Sequence, residues 1–241
     1  DGILLVNSGI TPATNVPSIA STVRASASSG FSIVSYNGTG ANATFGHGLN
    51  AAPEFVIVKT RTSGSINWTV WHEAIAATDY LTLNTTNAKG TAAAVWNSTA
   101  PTSSVINVGT DVGTNKSGDN YIAYCFAPVA GYSAMGSYTG NGSSDGPFIH
   151  TGFRPAFLII KNAAQANSWF IMDTTRNTYN VVGNYLLAES SAAETSNSWV
   201  DILSNGFKIR STATGNNNSG IQNLYIAFAE NPFQANGGLA R

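Results

Sequence analysis

The strongest constraint on this chain is that its second hundred residues repeat the landmarks of its first. Ser35-Tyr36-Asn37-Gly38-Thr39-Gly40 recurs 102 residues later as Ser137-Tyr138-Thr139-Gly140-Asn141-Gly142. Pro53-Glu54-Phe55-Val56-Ile57-Val58-Lys59 recurs at the same offset as Pro155-Ala156-Phe157-Leu158-Ile159-Ile160-Lys161. Trp68 returns as Trp169, Asp79-Tyr80-Leu81 as Asn184-Tyr185-Leu186, and Trp96 as Trp199. Tyr121-Ile122-Ala123-Tyr124 aligns with Tyr225-Ile226-Ala227-Phe228 at an offset of 104, and Pro128 with Pro232. Landmarks in one order with so little drift mark a tandem duplication. A unit of about 100 residues is too long for a solenoid repeat and fits one small β-sandwich.

Each copy carries short strand signals separated by Gly, Asn, Ser and Thr clusters. In the first copy they are Phe31 to Tyr36, Phe55 to Lys59, Trp68 to His72, Tyr80 to Leu83, Ala93 to Trp96, Val105 to Val108 and Tyr121 to Phe126. Ala74 to Thr78 and Thr174 to Asn177 are the weak helical candidates, each long enough for a single turn. The chain therefore reads as all-β, with two tandem, internally duplicated, jelly-roll-like β-sandwich domains of about 100 residues each. They are placed at residues 30–130 and 131–241, the second with a short C-terminal tail. Residues 1–29, rich in Ser, Thr and Ala with Pro12 and Pro17, read as an extended arm or the end of a preceding domain.

Composition narrows the functions. Charged residues make up 10% of the chain, against roughly 25% in an ordinary domain. The polar surface must then come from the 26 Asn, 26 Ser, 25 Thr and 24 Gly, types that favour turns and strands over helix interiors. A net charge of -1 with scattered cations offers nucleic acid no basic face. The longest apolar runs fall far short of the ~20 residues a membrane helix requires, so neither nucleic acid nor membrane is an expected partner. The single cysteine, Cys125, excludes an internal disulfide framework and a Cys-based zinc site. The chain begins at Asp1 with no visible leader, as expected of a processed product or a piece of a longer protein.

Catalytic constellations are scarce. His47, His72 and His150 lie in no metal-binding spacing, and no metal or other cofactor is expected. A two-carboxylate hydrolase site would have to be assembled by folding from residues such as Glu54, Glu73, Asp79 and Asp173. Gly38-Thr39-Gly40 and Gly140-Asn141-Gly142 lack the Lys-Ser/Thr and helix of a phosphate cradle, and read as hairpin turns. Trp68, Trp96, Trp169 and Trp199 recur in both copies and are expected in the core, whereas Trp71 is Met172 in the second copy. Exposed aromatic platforms beside Asn or Asp hold neutral sugars by stacking and hydrogen bonding. Trp71, Tyr179 and Asn180 are the candidate glycan-binding residues on that ground. Loops that differ between copies, Arg61 to Ile66 against Asn162 to Asn167 and Asn87 to Ala94 against Ser190 to Ser198, are expected to carry specificity.

The runs Ser21-Thr22-Val23-Arg24, Gly30-Phe31-Ser32-Ile33-Val34-Ser35-Tyr36, Gly46-His47-Gly48-Leu49, Trp96-Asn97-Ser98-Thr99-Ala100-Pro101, Tyr121-Ile122-Ala123-Tyr124-Cys125-Phe126-Ala127, Gly136-Ser137-Tyr138-Thr139-Gly140-Asn141-Gly142 and Ala227-Phe228-Ala229-Glu230-Asn231-Pro232-Phe233 resemble a domain of unknown function found in tailed-phage proteins, especially those of marine and cyanobacterial phages. The resemblance spans Ser21 to Arg241. It implies a non-enzymatic part of a tail fibre or similar virion appendage, displayed on the particle surface. Its implied partners are other virion proteins, copies of itself in a homotrimer, and a host-surface glycan. A capsid decoration or cement protein, a secreted carbohydrate-binding module or adhesin, and a polysaccharide depolymerase are the alternatives. The resemblance supplies no catalytic or binding residues.

Overall fold

The computed structural model describes residues 3–5 and 16–232. The remainder of the expected N-terminal arm, residues 1–2 and 6–15, and the tail 233–241 lie outside the described residues. The chain is all-β, with 44% strand and 5% helix, and divides into two compact units. Unit 1 comprises residues 1–83 and 89–127, and unit 2 comprises residues 84–88 and 128–241.

Unit 1 contains β1 (Ile3–Leu5), β2 (Ser21–Ser26), β3 (Phe31–Asn37), β4 (Ala43–Gly46), β5 (Phe55–Thr60), β6 (Thr69–His72), β7 (Asp79–Thr82), β8 (Gly90–Thr91), the helix α1 (Ala93–Trp96), β9 (Val105–Val108) and β10 (Asn120–Phe126). One sheet runs β1-β2-β3-β10-β5-β6-β7-β8, and β4 pairs with β9 in a second. Alternation along the strands sends Val34 and Tyr36 of β3, Val56 and Val58 of β5, and Tyr121, Ala123 and Cys125 of β10 to one face. Phe45, Ile106 and Val108 of the small sheet and Trp96 of α1 close over that face, making one two-layered core.

Unit 2 contains β11 (Ser133–Thr139), β12 (Phe148–His150), β13 (Pro155–Asn162), β14 (Trp169–Asp173), β15 (Val182–Leu187), β16 (Thr195–Leu203), β17 (Gly206–Ile209), the helix α2 (Thr214–Asn217) and β18 (Gln222–Ala229). Its order is β11-β18-β13-β14-β15-β16-β17-β12. The C-terminal end of β15 pairs with β14 and its N-terminal part with β16, so the sheet folds over at this strand. A register shift between Val182 and Asn184 marks the bend, and a Cβ on the intervening Gly183 would lie 2.1 Å from Asn197 O. Leu158 and Ile160 from one layer then share a core with Trp199, Ile202 and Phe207 from the other. Residues 84–88 belong here: Thr86 O accepts the Asn167 N–H at 2.8 Å and Lys161 Nζ at 3.1 Å.

The same topology underlies both units. Strands β3, β10, β5, β6 and β7 correspond in order to β11, β18, β13, β14 and β15, and β4-β9 to β12-β17. Strands β5 to β8 in unit 1 and β13 to β17 in unit 2 follow one another as antiparallel neighbours, while the chain of unit 1 crosses between its two sheets on either side of β4 and of β9.

Three local expectations differ. Ala93 to Trp96 is helical, not a strand, because Val95 N–H closes a turn on Ala92 O and Asn97, at φ 51°, caps it in the left-handed region. The helical candidates at 74–78 and 174–177 are tight turns. Residues 16–29 are part of unit 1 rather than an arm, since β2 pairs with β3 along its length from Ser21↔Tyr36 to Ser26↔Phe31, burying Ser21 and Val23.

The closing strands also align differently from their sequences. Tyr121 pairs with Tyr36 and Thr60, and Asn223 with Tyr138 and Asn162, so Tyr121 corresponds to Asn223 at an offset of 102, not to Tyr225. A two-residue slip keeps every side chain on its own face, so periodicity alone does not detect it. The consequence is a volume exchange across paired strands. Val34 and Ala123 face each other in unit 1; Gly136 and Tyr225 do so in unit 2, where a Cβ on Gly136 would fall 2.9 Å from the Tyr225 hydroxyl.

Candidate functional site

The most ordered polar feature occurs in both units, and the sequence reading missed it. In unit 1 the Tyr36 hydroxyl donates to Thr114 O at 2.6 Å, and in unit 2 Tyr138 donates to Asn216 O at 2.6 Å. The next residue is a buried asparagine. Asn115 Nδ2 donates to Ala41 O and Gly109 O, while its Oδ1 accepts Thr39 N–H at 2.7 Å. Asn217 Nδ2 donates to Ser143 O and Ser211 O, and its Oδ1 accepts Asn141 N–H at 2.9 Å. Gly38 and Gly140 allow the approach, since a Cβ there would lie 2.1 Å from Lys116 O and 2.3 Å from Asn218 O. The signal was present as Thr114-Asn115-Lys116-Ser117-Gly118 against Asn216-Asn217-Asn218-Ser219-Gly220. The tyrosine hydroxyls and the amides of Asn115 and Asn217 all meet protein partners, so the device clamps two loops.

The three candidate glycan residues divide between units. Trp71, in unit 1, pairs with Val56 and is 5% exposed within the core, so neither ring face reaches solvent and the expected platform is not available at this position. Its Nε1 is buried without a hydrogen-bond partner among the described residues, which leaves packing to hold it. Tyr179 and Asn180 lie in unit 2, on the loop between β14 and β15. Tyr179 is 86% exposed. Asn180 serves the backbone: Nδ2 donates to Ile202 O and Oδ1 accepts Ile202 N–H, both at 2.9 Å, so its amide stands in for a strand partner at β16.

The loop under Tyr179 is fastened at several points. Asp173 Oδ1 accepts the N–H groups of Thr175 and Arg176 at 3.0 and 2.8 Å. Arg176 bridges Asp173 at 2.9 Å and Glu194 at 3.2 Å, and Glu194 also accepts Asn184 Nδ2. Asn177 Oδ1 accepts Gly183 and Asn184 N–H at 3.1 and 2.6 Å. The phenol is thus projected from a fixed base, which lowers the ordering cost of binding. The corresponding turn of unit 1, residues 73–78, is two residues shorter and has no aromatic side chain.

Several reactive groups elsewhere are engaged or buried. Ser63 Oγ donates to Asp119 Oδ2 at 2.6 Å and accepts from Lys116 Nζ at 3.2 Å, a Ser-Lys-Asp grouping. The Ser63 hydrogen bond is the leading cause that holds Asp119 below the usual carboxylate range, which makes it a weak base. Unit 2 keeps the same strap with neutral groups, Asn218 Nδ2 to Gln165 Oε1 at 2.9 Å. His47 is buried; burial lowers its pKa, and its ring joins Leu49 N–H and Thr102 O. Burial pushes the Cys125 thiol up to about 12, so it is inert. Glu54 and Glu73 are both raised, chiefly by burial, and Glu73 adds to the effect on Glu54. Among the described residues no group of three or more His, Cys, Asp or Glu is placed to hold a metal, and no helix is long and apolar enough to cross a membrane.

A concavity of about 620 Å³ in unit 2 is bounded by Phe153, Arg154 and Glu230. Its charged groups are spent on each other and the backbone: Arg154 Nε meets Glu230 at 2.9 Å, and Nη1 donates to Ile202 O.

No curated protein and no solved structure matches this chain. The model of a family described as a domain of unknown function, DUF7483, matches residues 6–232, and the chain belongs to that family.

Proposed function

We propose that the chain is a non-enzymatic structural module of a phage virion, in a tail fibre or similar appendage, that adheres to neutral host-surface glycans through the loop presenting Tyr179. The observation that carries the adhesion reading is a nearly fully exposed phenol on a loop otherwise pinned by hydrogen bonds and ion pairs. Such a ring stacks on the apolar face of a sugar at little conformational cost. The virion reading rests on the motif resemblance, and a low-charge duplicated β-scaffold supports it. Other virion proteins and further copies in a homotrimer are the proposed partners; sedimentation of the intact chain tests the stoichiometry.

Binding to a glycan array tests the adhesion. Tyr179→Ala is expected to lower binding at least tenfold while changing stability by less than about 0.5 kcal/mol, since the ring buries little surface. Unchanged binding would remove the loop from the account. Immunogold labelling of intact particles separates an appendage, with label at fibres, from a capsid decoration protein, with label over the shell. The neighbouring raised carboxylates Glu54 and Glu73 favour one other reading, a depolymerase. Cleavage of capsular polysaccharide that disappears in Glu54→Gln would establish it.

A further inference from the structure

The two units differ most sharply where β6, β7 and the turn before β10 meet. Thr69 pairs with Thr82 in unit 1, and at the corresponding place Phe170 pairs with Leu187 in unit 2. Asp111 corresponds to Ala213: Asn115 N–H donates to Asp111 O at 2.8 Å, and Asn217 N–H to Ala213 O at 2.9 Å. Three polar residues in one unit therefore replace three apolar residues in the other. In unit 2 the Phe170 ring fills the space, tilted by 38° against Trp199 with centroids 4.3 Å apart and lying 2.8 Å from where a Cβ on Gly215 would be. In unit 1 the equivalent Gly113 faces Thr69 Oγ1 and Asp111 Oδ1, and a cleft of about 210 Å³ remains.

The chemistry of that cleft is specific. Tyr80 lines it, backed by Gly90, where a Cβ would lie 2.7 Å from the ring. Asp111 is held by its Oδ1, which accepts Gly113 N–H at 2.7 Å. Among the described residues, neither Asp111 Oδ2 nor the Tyr80 hydroxyl has a hydrogen-bond partner. The lining has one carboxylate and no lysine or arginine, which disfavours phosphates and other anions. An aromatic ring, a carboxylate oxygen and threonine hydroxyls around a space of this size suit a compact ligand that is hydroxylated on its rim and apolar on its face.

We propose that this cleft in unit 1 is a binding site for a single neutral hexopyranose ring, separate from the Tyr179 loop and independent of the virion reading. Asp111 Oδ2 accepts a sugar hydroxyl, Tyr80 supplies a ring edge and a second hydrogen bond, and Thr69 leaves the room that Phe170 removes in unit 2.

The test is amide chemical-shift titration of the whole chain with methyl β-D-glucopyranoside, methyl α-D-mannopyranoside and methyl β-D-galactopyranoside, with butylamine as the cationic control. The expected result is saturable shifts at Thr82, Val112 and Gly113 with at least one glycoside. Thr69→Phe, which introduces the unit 2 side chain, should abolish them. Tyr80→Phe removes only a hydroxyl and should weaken binding about two- to tenfold, which decides the matter if Thr69→Phe fails to fold. No saturable shift with any glycoside, shifts with butylamine alone, or shifts unaltered in both variants would overturn the site. Array binding lost in Tyr179→Ala while these shifts persist would leave this site standing; shifts absent while array binding depends on Tyr179 would remove this site and keep the adhesion loop.

Discussion

Trp96 and Trp199 occupy corresponding positions in the two units and are 1% and 3% exposed, yet the first stands on a helix and the second on a strand. In unit 2 the nine-residue β16 pairs with β15 on one side and β17 on the other, making the whole unit one folded sheet. In unit 1 the helix takes its place, and β4-β9 is a separate two-stranded sheet. The scaffold therefore requires the indole in the core and tolerates either backbone that delivers it. The reverse pattern holds at the clamp, where Tyr36-Asn115 and Tyr138-Asn217 keep side chain and backbone alike. Packing positions are interchangeable in form; buried hydrogen-bond positions are not, because each partner left alone incurs its full desolvation cost.

Breaking the comparison begins at its largest effect. Trp96→Ala and Trp199→Ala should each cost about 4 kcal/mol by denaturant unfolding, since each empties an enclosed aromatic site. A helix-borne Trp96 that cost less than half as much as Trp199 would show that the two cores are not equivalent. Asn115→Ala and Asn217→Ala should each cost about 3 kcal/mol, as several buried backbone groups lose their partners together. A penalty in one unit alone would reduce the repeated clamp to a coincidence of geometry.

The exchanged pair across β11 and β18 sharpens the comparison. Gly136→Val should cost about 2 kcal/mol by crowding Tyr225. Combining it with Tyr225→Ala recreates the Val34–Ala123 pairing of unit 1 and should show favourable coupling in a double-mutant cycle; strict additivity would mean that the two positions do not compensate. The smallest effect is one of pH. His47 titrates below its ordinary value of about 6.5 when folded, so the unfolded chain binds more protons and stability present above about 6.5 is lost as pH falls below it. His47→Gln should flatten the stability profile between about pH 7 and 5, and an unchanged slope would assign the dependence to other groups.

Much of this fold was legible as repetition. The central strands β5 and β13 announce themselves by Pro-initiated apolar runs; the Tyr-x-Gly-x-Gly segments, expected as hairpin turns, are instead crossings, since β3 pairs with β10 and β4 with β9, and β11 with β18 and β12 with β17. The short Ala-rich run before Trp96 was not legible, because four apolar residues satisfy helix and strand patterns equally and a neighbouring left-handed Asn97 decides between them. The clamp asparagines were hidden by composition, being two among 26. Strand β2 was obscured by a Ser-rich segment in which only Ser21 and Val23 turn inward. Of the candidate glycan residues, Tyr179 lies where an exposed platform requires, on an extended loop that distinguishes unit 2. Trp71 failed as a platform because Met172, its counterpart, is itself buried, so the difference in residue type signalled a repacked core and not a surface. The cleft at Tyr80 was invisible until register showed Thr69, Thr82 and Asp111 standing where Phe170, Leu187 and Ala213 stand.

The central claim is that matched positions hold the fold while unmatched positions recognise a ligand. A mutational scan of the whole chain, scored separately for folded display and for capture on glycan-coated beads, tests it most directly. The account predicts that loss of folding concentrates at Tyr36 and Tyr138, Asn115 and Asn217, and Trp96 and Trp199, while loss of capture with folding intact concentrates at Tyr179 and around Thr69, Tyr80 and Asp111. Capture-only losses at the matched pairs, with none at the unmatched positions, would contradict it.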